Sequence, residues 1–215
     1  MLDLISIHIP KTGGTSFYQI LQQVYGEELS ISYRRKDYNE VIQRGLDLAK
    51  TINEEIKIFH GHLCYEELRT IHQNSNAKVI CWLRDPVERV ISNHRHFIKR
   101  NSLPNPVRPH QHRVNESLLN FAQRESNRNR MSQFLEGIDL QNLFFIGFLE
   151  SFEKDLIHLS NLLEWPDFNI PKLNTSTSGE MGIPIDILLE IKDLNKIDYA
   201  LYNSAQALAE RRIER

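Results

Sequence analysis

The residues LISIHIPKTGGTSF, positions 4–17, leave a chain little choice of local structure. Leu4, Ile5, Ile7 and Ile9 make a short apolar run rich in β-branched residues, the pattern of a strand. Phe17, Ile20, Leu21 and Val24 then recur at helical spacing. Between them lies a tight turn, Lys11-Thr12-Gly13-Gly14-Thr15-Ser16. A turn that opens a helix exposes unpaired backbone N–H groups, and the helix dipole adds positive potential there. Gly13 and Gly14 lack a Cβ, so an oxyanion is expected to approach the backbone closely. Lys11 adds a mobile cation, and Thr12, Thr15 and Ser16 add hydroxyl donors. Everything in the turn suits a phosphate or a sulfate. It is not a Walker A loop, because the lysine precedes the glycines and the four-residue spacer is missing.

The chain continues in the same alternation. Residues 26–39 are polar and irregular, with Ile31 and Tyr33 suggesting a short strand, and Val41–Leu48 is weakly helical in pattern. Ile56–His62 is a second strand ending on His60-Gly61-His62, followed by a short helix over Tyr65–Ile71. Lys78–Leu83 is near-continuously apolar, like strands buried on both faces of a parallel sheet. It ends at Arg84-Asp85-Pro86, where Asp85 suits an N-cap and Pro86 the first helical position. A long helix is predicted from Val87 towards Arg100. Three prolines between Ser102 and Arg113 argue against helix or central strand there. Helices are predicted at 116–123 and 128–136, a strand at Leu143–Phe148 and a helix at Phe152–Leu163. After an irregular stretch at 166–182, helices at Ile185–Asp193 and Asn195–Arg212 close the chain, the last burying Tyr199, Tyr202 and Leu208. Such alternation implies right-handed crossovers and a central, mostly parallel sheet. The predicted fold is α/β, a P-loop-like three-layer α/β/α arrangement, and 215 residues suit one domain spanning 1–215. Ligands of such sheets lie at the carboxyl ends of the strands. That rule sets Lys11–Ser16, His60–His62 and Arg84–Asp85 on one rim.

Charge narrows the partners. A net charge of −2 provides no global basic field for nucleic acid or a membrane surface. No apolar run approaches the ~20 residues of a membrane span, and a first strand beginning at Leu4 leaves no room for a signal peptide. Cys64 and Cys81 have neither disulfide-framework nor metal-ligand spacing. A soluble, cytoplasmic chain is expected. Locally the balance differs: no acidic residue occurs from Arg89 to Asn115, where Arg95, Lys99, Arg100, Arg108 and Arg113 fall with four histidines. This stretch reads either as a surface that steers an anionic acceptor or as a solvated helix face followed by a flexible loop. His60 and His62 are two candidates for a base at neutral pH. Their alternatives are a metal pair or structural histidines, and no nearby carboxylate completes a metal site.

Four stretches together resemble the sulfotransferase superfamily: HIPKTGGTSF (8–17), FHGHLCY (59–65), LRDPVERVIS (83–92) and FIGFL (145–149) leading into the helix from Phe152. They are most similar to the heparan sulfate 2-O-sulfotransferase type of carbohydrate sulfotransferase. Against the Golgi enzymes of that type, the chain is expected to lack the N-terminal membrane anchor and to have a shorter glycan-holding region. The resemblance implies a metal-independent enzyme that moves a sulfuryl group from 3′-phosphoadenosine 5′-phosphosulfate (PAPS) to a hydroxyl, here of a carbohydrate. It implies that Lys11, Thr12, Gly13, Gly14, Thr15 and Ser16 hold the 5′-phosphosulfate, and that Arg84 and Ser92 hold the 3′-phosphate. It favours His62 as general base, with His60 supporting it or touching the acceptor, and Lys11 countering charge on the leaving nucleotide. Less securely matched, Asn174 and Thr175 correspond to a loop closing over the nucleotide. Arg95, Lys99 and Arg108 are the candidate acceptor contacts. Two other readings share this sheet: a kinase-like phosphotransferase, and a non-catalytic nucleotide or glycan binder.

Overall fold

The first strand, β1 (Leu4–Ile7), is paired on both sides, and this decides the architecture. The computed structural model describes residues 2–32, 55–102, 111–171 and 182–213. Tyr33, the Val41–Leu48 segment, Arg108, Asn174 and Thr175 lie outside the described residues. After β1 come α1 (Gly14–Tyr25), β2 (Leu29–Ser32), β3 (Ile58–Gly61), α2 (Tyr65–Gln73), β4 (Lys78–Leu83) and α3 (Pro86–Ser102). The order continues with α4 (Leu118–Ala122), α5 (Arg130–Phe134), β5 (Phe145–Phe148), α6 (Phe152–Leu162), α7 (Ile185–Leu194) and α8 (Lys196–Ile213). Among the described residues the strands form one sheet in the order β2-β3-β1-β4-β5, parallel at every pairing. The expected mostly parallel α/β fold is therefore the one observed.

Period-two alternation along β1 divides the interior. Ile5, Ile7 and Ile9 face a core shared with Leu68 and Ile71 of α2, Met131 and Phe134 of α5, and Tyr202 and Ala205 of α8. Leu4 faces the opposite core, with Phe17, Ile20 and Leu21 of α1 and Phe152, Leu156 and Leu159 of α6. Both faces of the sheet are thus covered, which explains why β4 and β5 read as continuous apolar runs. A smaller cluster of Val87, Val90, Ile91, Ala122 and Ile191 ties α3 to α4 and α7. No helix among the described residues is long and apolar enough to cross a membrane.

Local chemistry accounts for most boundaries. Asp85 caps α3 as expected: its Oδ1 accepts from the Glu88 N–H at 3.0 Å, with Pro86 at the first helical position. The helix predicted from Glu116 begins later, at Leu118, because Ser117 accepts from the Asn120 N–H and caps it. Glu116 is instead held outside by Arg113 at 2.5 Å and by Arg124. Gly147 has a packing reason to lack a side chain, since a Cβ there would run into the Trp82 indole of the neighbouring strand. Gly147→Ala should therefore overpack the sheet and cost about 1–3 kcal/mol. Urea unfolding of the variant beside the parent measures it, and an unchanged midpoint would show that the indole yields freely.

Candidate active site

The carboxyl ends of β1, β3 and β4 and the N-terminus of α1 enclose a cleft of about 670 Å³. Lys11, Gly13, Gly14, Thr15 and Ser16 line one wall, His8, Pro10 and His62 another, and Arg84, Glu88, Ser92, Asn93, His96 and Arg100 a third, with Leu149 and Glu150 at the edge. The three turns expected on one rim do meet there.

The Lys11–Ser16 turn is built at a conformational cost. Lys11 has φ 75°, in the left-handed region that disfavours side chains, and Gly13 follows at φ 91° as the N-cap of α1. Gly13 is glycine for two reasons: its positive φ, and the Leu149 side chain, which a Cβ would meet at 2.8 Å. Burial and the neighbouring Arg84 charge both hold the Lys11 pKa below its ordinary value. Gly14, Thr15 and Ser16 form the first helical turn, so their backbone N–H groups have no intrahelical acceptor. Two expectations need correction. Thr12 does not line the cleft; its buried hydroxyl donates to the Ile9 carbonyl at 2.9 Å and stabilises the turn from inside. Gly14 does not leave space for an oxyanion, because the volume its Cβ would fill is taken by the His8 imidazole.

His8 escaped the sequence reading, and it is central. In β1 and β3, Ser6 pairs with His60, so residues two further on, His8 and His62, fall on the same face. The His8 ring stacks on His60 at 4.8 Å between centroids and lies tilted against His62 at 4.0 Å. His60 is 1% exposed and meets Phe17 edge to face, its Nδ1 sharing a 2.8 Å hydrogen bond with Ser6 Oγ. The expectation that His60 touches the acceptor therefore fails, since His8 covers it. His62 lines the cleft, and its Nδ1 lies 2.7 Å from the His8 carbonyl oxygen. A carbonyl only accepts, so Nδ1 carries the proton and Nε2 is the basic nitrogen. Burial, then the charges of His60, His62 and Lys11, lowers His8 to a pKa of about 2. Burial and His62 lower His60 to about 3, against a hydrogen bond with the Gly14 backbone that works the other way. Both inner rings are neutral at physiological pH.

Helix α3 supplies the third wall through one face: Glu88, Ser92, Asn93, His96 and Arg100 follow helical spacing. Arg84, at the end of β4, donates from Nη2 to Glu88 Oε2 at 3.0 Å and from Nη1 to the Lys11 carbonyl at 3.5 Å. Its guanidinium thereby braces the turn. Arg95 and Lys99 are exposed but lie off the cleft wall; the basic residue and imidazole in those turns that reach it are Arg100 and His96. Burial, with Lys11, Arg100 and Lys99 nearby, holds His96 below its usual pKa. Arg113 is neutralised by Glu116 and lies over the Phe97 ring, 4.6 Å from its centroid. The acidic edge is occupied too. Asp85 Oδ2 accepts from Tyr199, and Glu150 accepts from the Asp85 N–H and from Tyr202. No group of three His, Cys, Asp or Glu side chains among the described residues is placed to hold a metal ion.

A family model described as "Sulfotransferase family" matches residues 2–203. No curated protein matches the chain. Among solved structures, a sulfotransferase from Alicyclobacillus acidocaldarius is similar at 15% identity and a TM-score of 0.52, over 97% of this chain and 95% of that one. The mouse sulfotransferase SULT7A1 complexed with PAP is similar at 14% identity and a TM-score of 0.47, over 88% of this chain. This chain spans 63% of the length of that mouse protein. A sulfotransferase domain from the curacin biosynthetic pathway aligns over 85% of this chain and 81% of its own, at 15% identity and a TM-score of 0.42. The likeness to the Alicyclobacillus acidocaldarius protein, at that identity, shows the fold.

The buried histidines link stability to pH. Their folded pKa values, about 2 and about 3, lie below the ordinary 6.5, so the unfolded chain binds the extra protons. The stabilisation is complete above pH 6.5 and declines as pH falls towards those values. Each histidine contributes a slope of up to about 1.4 kcal/mol per pH unit. Urea unfolding between pH 7.5 and 5.0 should show a steep loss, and His8→Phe should flatten it; parallel slopes would remove His8 from this account. At Lys11 the backbone strain is separable from the charge. Lys11→Gly should be about 1 kcal/mol more stable than Lys11→Ala, because only glycine accepts φ 75° without penalty.

Proposed function

This chain belongs to the sulfotransferase family, and we propose that it transfers a sulfuryl group from PAPS to a sugar hydroxyl. The observation that carries the reading is the meeting, on one cleft, of the α1 N-terminus with Lys11, of Arg84 with Ser92, and of His62. The residues fit the donor. The free N–H groups of the α1 first turn, with Thr15, Ser16 and Lys11, suit a 5′-phosphosulfate. Arg84 and Ser92 offer a fork and a hydroxyl to a 3′-phosphate. When bound, PAPS supplies an activated sulfuryl group and a phosphate leaving group.

The chain's own residues then have defined roles. His62, protonated on Nδ1, takes the acceptor hydroxyl's proton on Nε2. Lys11 would offset charge on the departing nucleotide, and the α1 N-terminus would offset charge on the transferred group. As in phosphoryl transfer, positioning and charge stabilisation are the protein's main share. Thr12 and His60 act from beneath the site.

The four motifs' likeness to the heparan sulfate 2-O type favours a sugar hydroxyl as acceptor. Arg100 and His96, far along the α3 wall, favour a sugar that carries a carboxylate or sulfate. A kinase-like reading would want a carboxylate for Mg²⁺. Asp85 is a poor one, because one oxygen caps α3 and the other accepts from Tyr199.

Calorimetric titration with PAP beside ADP, in EDTA, is the direct test. PAP should bind well and ADP weakly, and Arg84→Ala should weaken PAP by about 10–100-fold, the worth of a hydrogen bond to a charged group. Equal binding of the two nucleotides would remove the assignment of Arg84 and Ser92. With an acceptor from a screen of acidic oligosaccharides, His62→Ala and Lys11→Ala should each lower kcat by about 10² or more. Arg100→Ala should raise KM for that acceptor and leave PAP affinity intact.

A further inference from the structure

We infer that His8 is a positioning residue for His62: its ring and its own carbonyl together hold the His62 imidazole in one tautomer and one orientation. The inference rests on the reading of His62 as the base. Both attachments come from the same residue. The His8 ring lies 4.0 Å from the His62 ring and tilted by 30°, and the His8 carbonyl takes the Nδ1 proton at 2.7 Å. Without the ring, His62 would keep the His8 carbonyl in reach but lose the surface that sets its plane, so its orientation would be held less closely.

The platform is itself locked. His8 is 7% exposed and stacks behind on His60, whose Nδ1 is tied to Ser6 Oγ. On its other flank it fills the space a Cβ on Gly14 would need. The role normally given to a carboxylate, orienting a catalytic imidazole through Nδ1, is filled here by a peptide carbonyl and an aromatic stack. That substitution has a chemical consequence. A carboxylate would add a negative charge beside Lys11 and close to the anion-binding turn, whereas a carbonyl and a neutral ring add none. Because His8 and His60 remain uncharged at working pH, His62 can accept a proton without a second charge stacked beneath it.

The test reads the tautomer, not turnover. Long-range ¹H–¹⁵N NMR of imidazole-labelled protein at pH 7.5, with His62→Asn to assign the signal, should report His62 as the Nδ1–H form. His8→Phe keeps a flat ring and the carbonyl and should retain that form; His8→Ala should give an exchanging mixture of the two tautomers. Gly14→Ala pushes against the ring from the other side and should disturb the His62 signal in the same direction. The disturbance should vanish in His8→Ala/Gly14→Ala, where the added methyl has room. An Nε2–H form in the parent protein overturns the inference whether or not any variant folds, and so does an unchanged tautomer in folded His8→Ala. PAP titration of the same samples keeps the two readings apart. Failure of the parent to bind PAP would sink the sulfuryl-transfer reading while leaving the tautomer measurable. Normal PAP binding with an unaltered His62 signal in His8→Ala would sink only the role of His8.

Discussion

The structure depends on β1 being hydrogen-bonded on both edges. Because Ile7 pairs with Gly61 on one side and Cys81 on the other, the three strands end at nearly the same level. The residues that follow each end, Lys11, His62 and Arg84, then emerge side by side without any of the three turns having to reach across the sheet. Chain order strengthens this: β3 lies on one side of β1 and β4 on the other, so the winding reverses beside β1. A crevice opens at such reversals because adjoining crossovers depart in opposite directions. A one-residue slip of β3 against β1 would move Ser6 off His60 and turn His62 to the opposite face. Register is thus the constraint through which core packing determines chemistry.

The LRDPVER segment shows how closely structural and functional duties are interleaved on a helix start. Arg84 and Glu88 face the cleft as an ion pair, and Asp85 caps the helix that carries Glu88. Arg89, one residue on, is fully buried on the other side, where its Nη2 donates to the Asn127 carbonyl at 2.9 Å and burial lowers its pKa to about 10. Tyr199 and Tyr202 of α8 fasten the same turn through Asp85 and Glu150. Helix α8 therefore braces the cleft rim, a coupling that in the Tyr199–Asp85 bond joins residues more than a hundred positions apart.

That coupling marks the boundary of what the sequence made legible. Period-two and helical patterns identified the strands, the direction of the sheet and the three turns of the rim, because those patterns report burial directly. Asp85 and Pro86 located the start of α3 because capping is local chemistry. What the pattern missed were relations between elements. Arg95 and Lys99 lie in the expected helix but on the wrong phase of it, and only the seating of α3 against α4 and α7 decides that His96 and Arg100 face the cleft. His8 stood at the head of the HIPKTGGTSF stretch with no role assigned to it. Its role depends on a neighbour that arrives from β3, more than fifty residues later.

The glycines of the turn illustrate the same point with opposite outcomes. A Gly-Gly pair beside a lysine invites one explanation, close approach of an anion to the backbone. Gly13 does have a conformational reason of its own, a φ of 91° that other residues resist. Gly14 sits in ordinary helical geometry, where alanine would be the better helix former. Its lack of a side chain is explained by what lies beside it, the His8 ring. The two glycines thus have different reasons, one the shape of the Lys11–Ser16 turn and the other the seat of the histidine stack. Because they are adjacent, the N-terminus of α1 cannot shift relative to His8 without disturbing both. The N–H groups of the α1 first turn and the His62 imidazole across the cleft are therefore held at a fixed spacing.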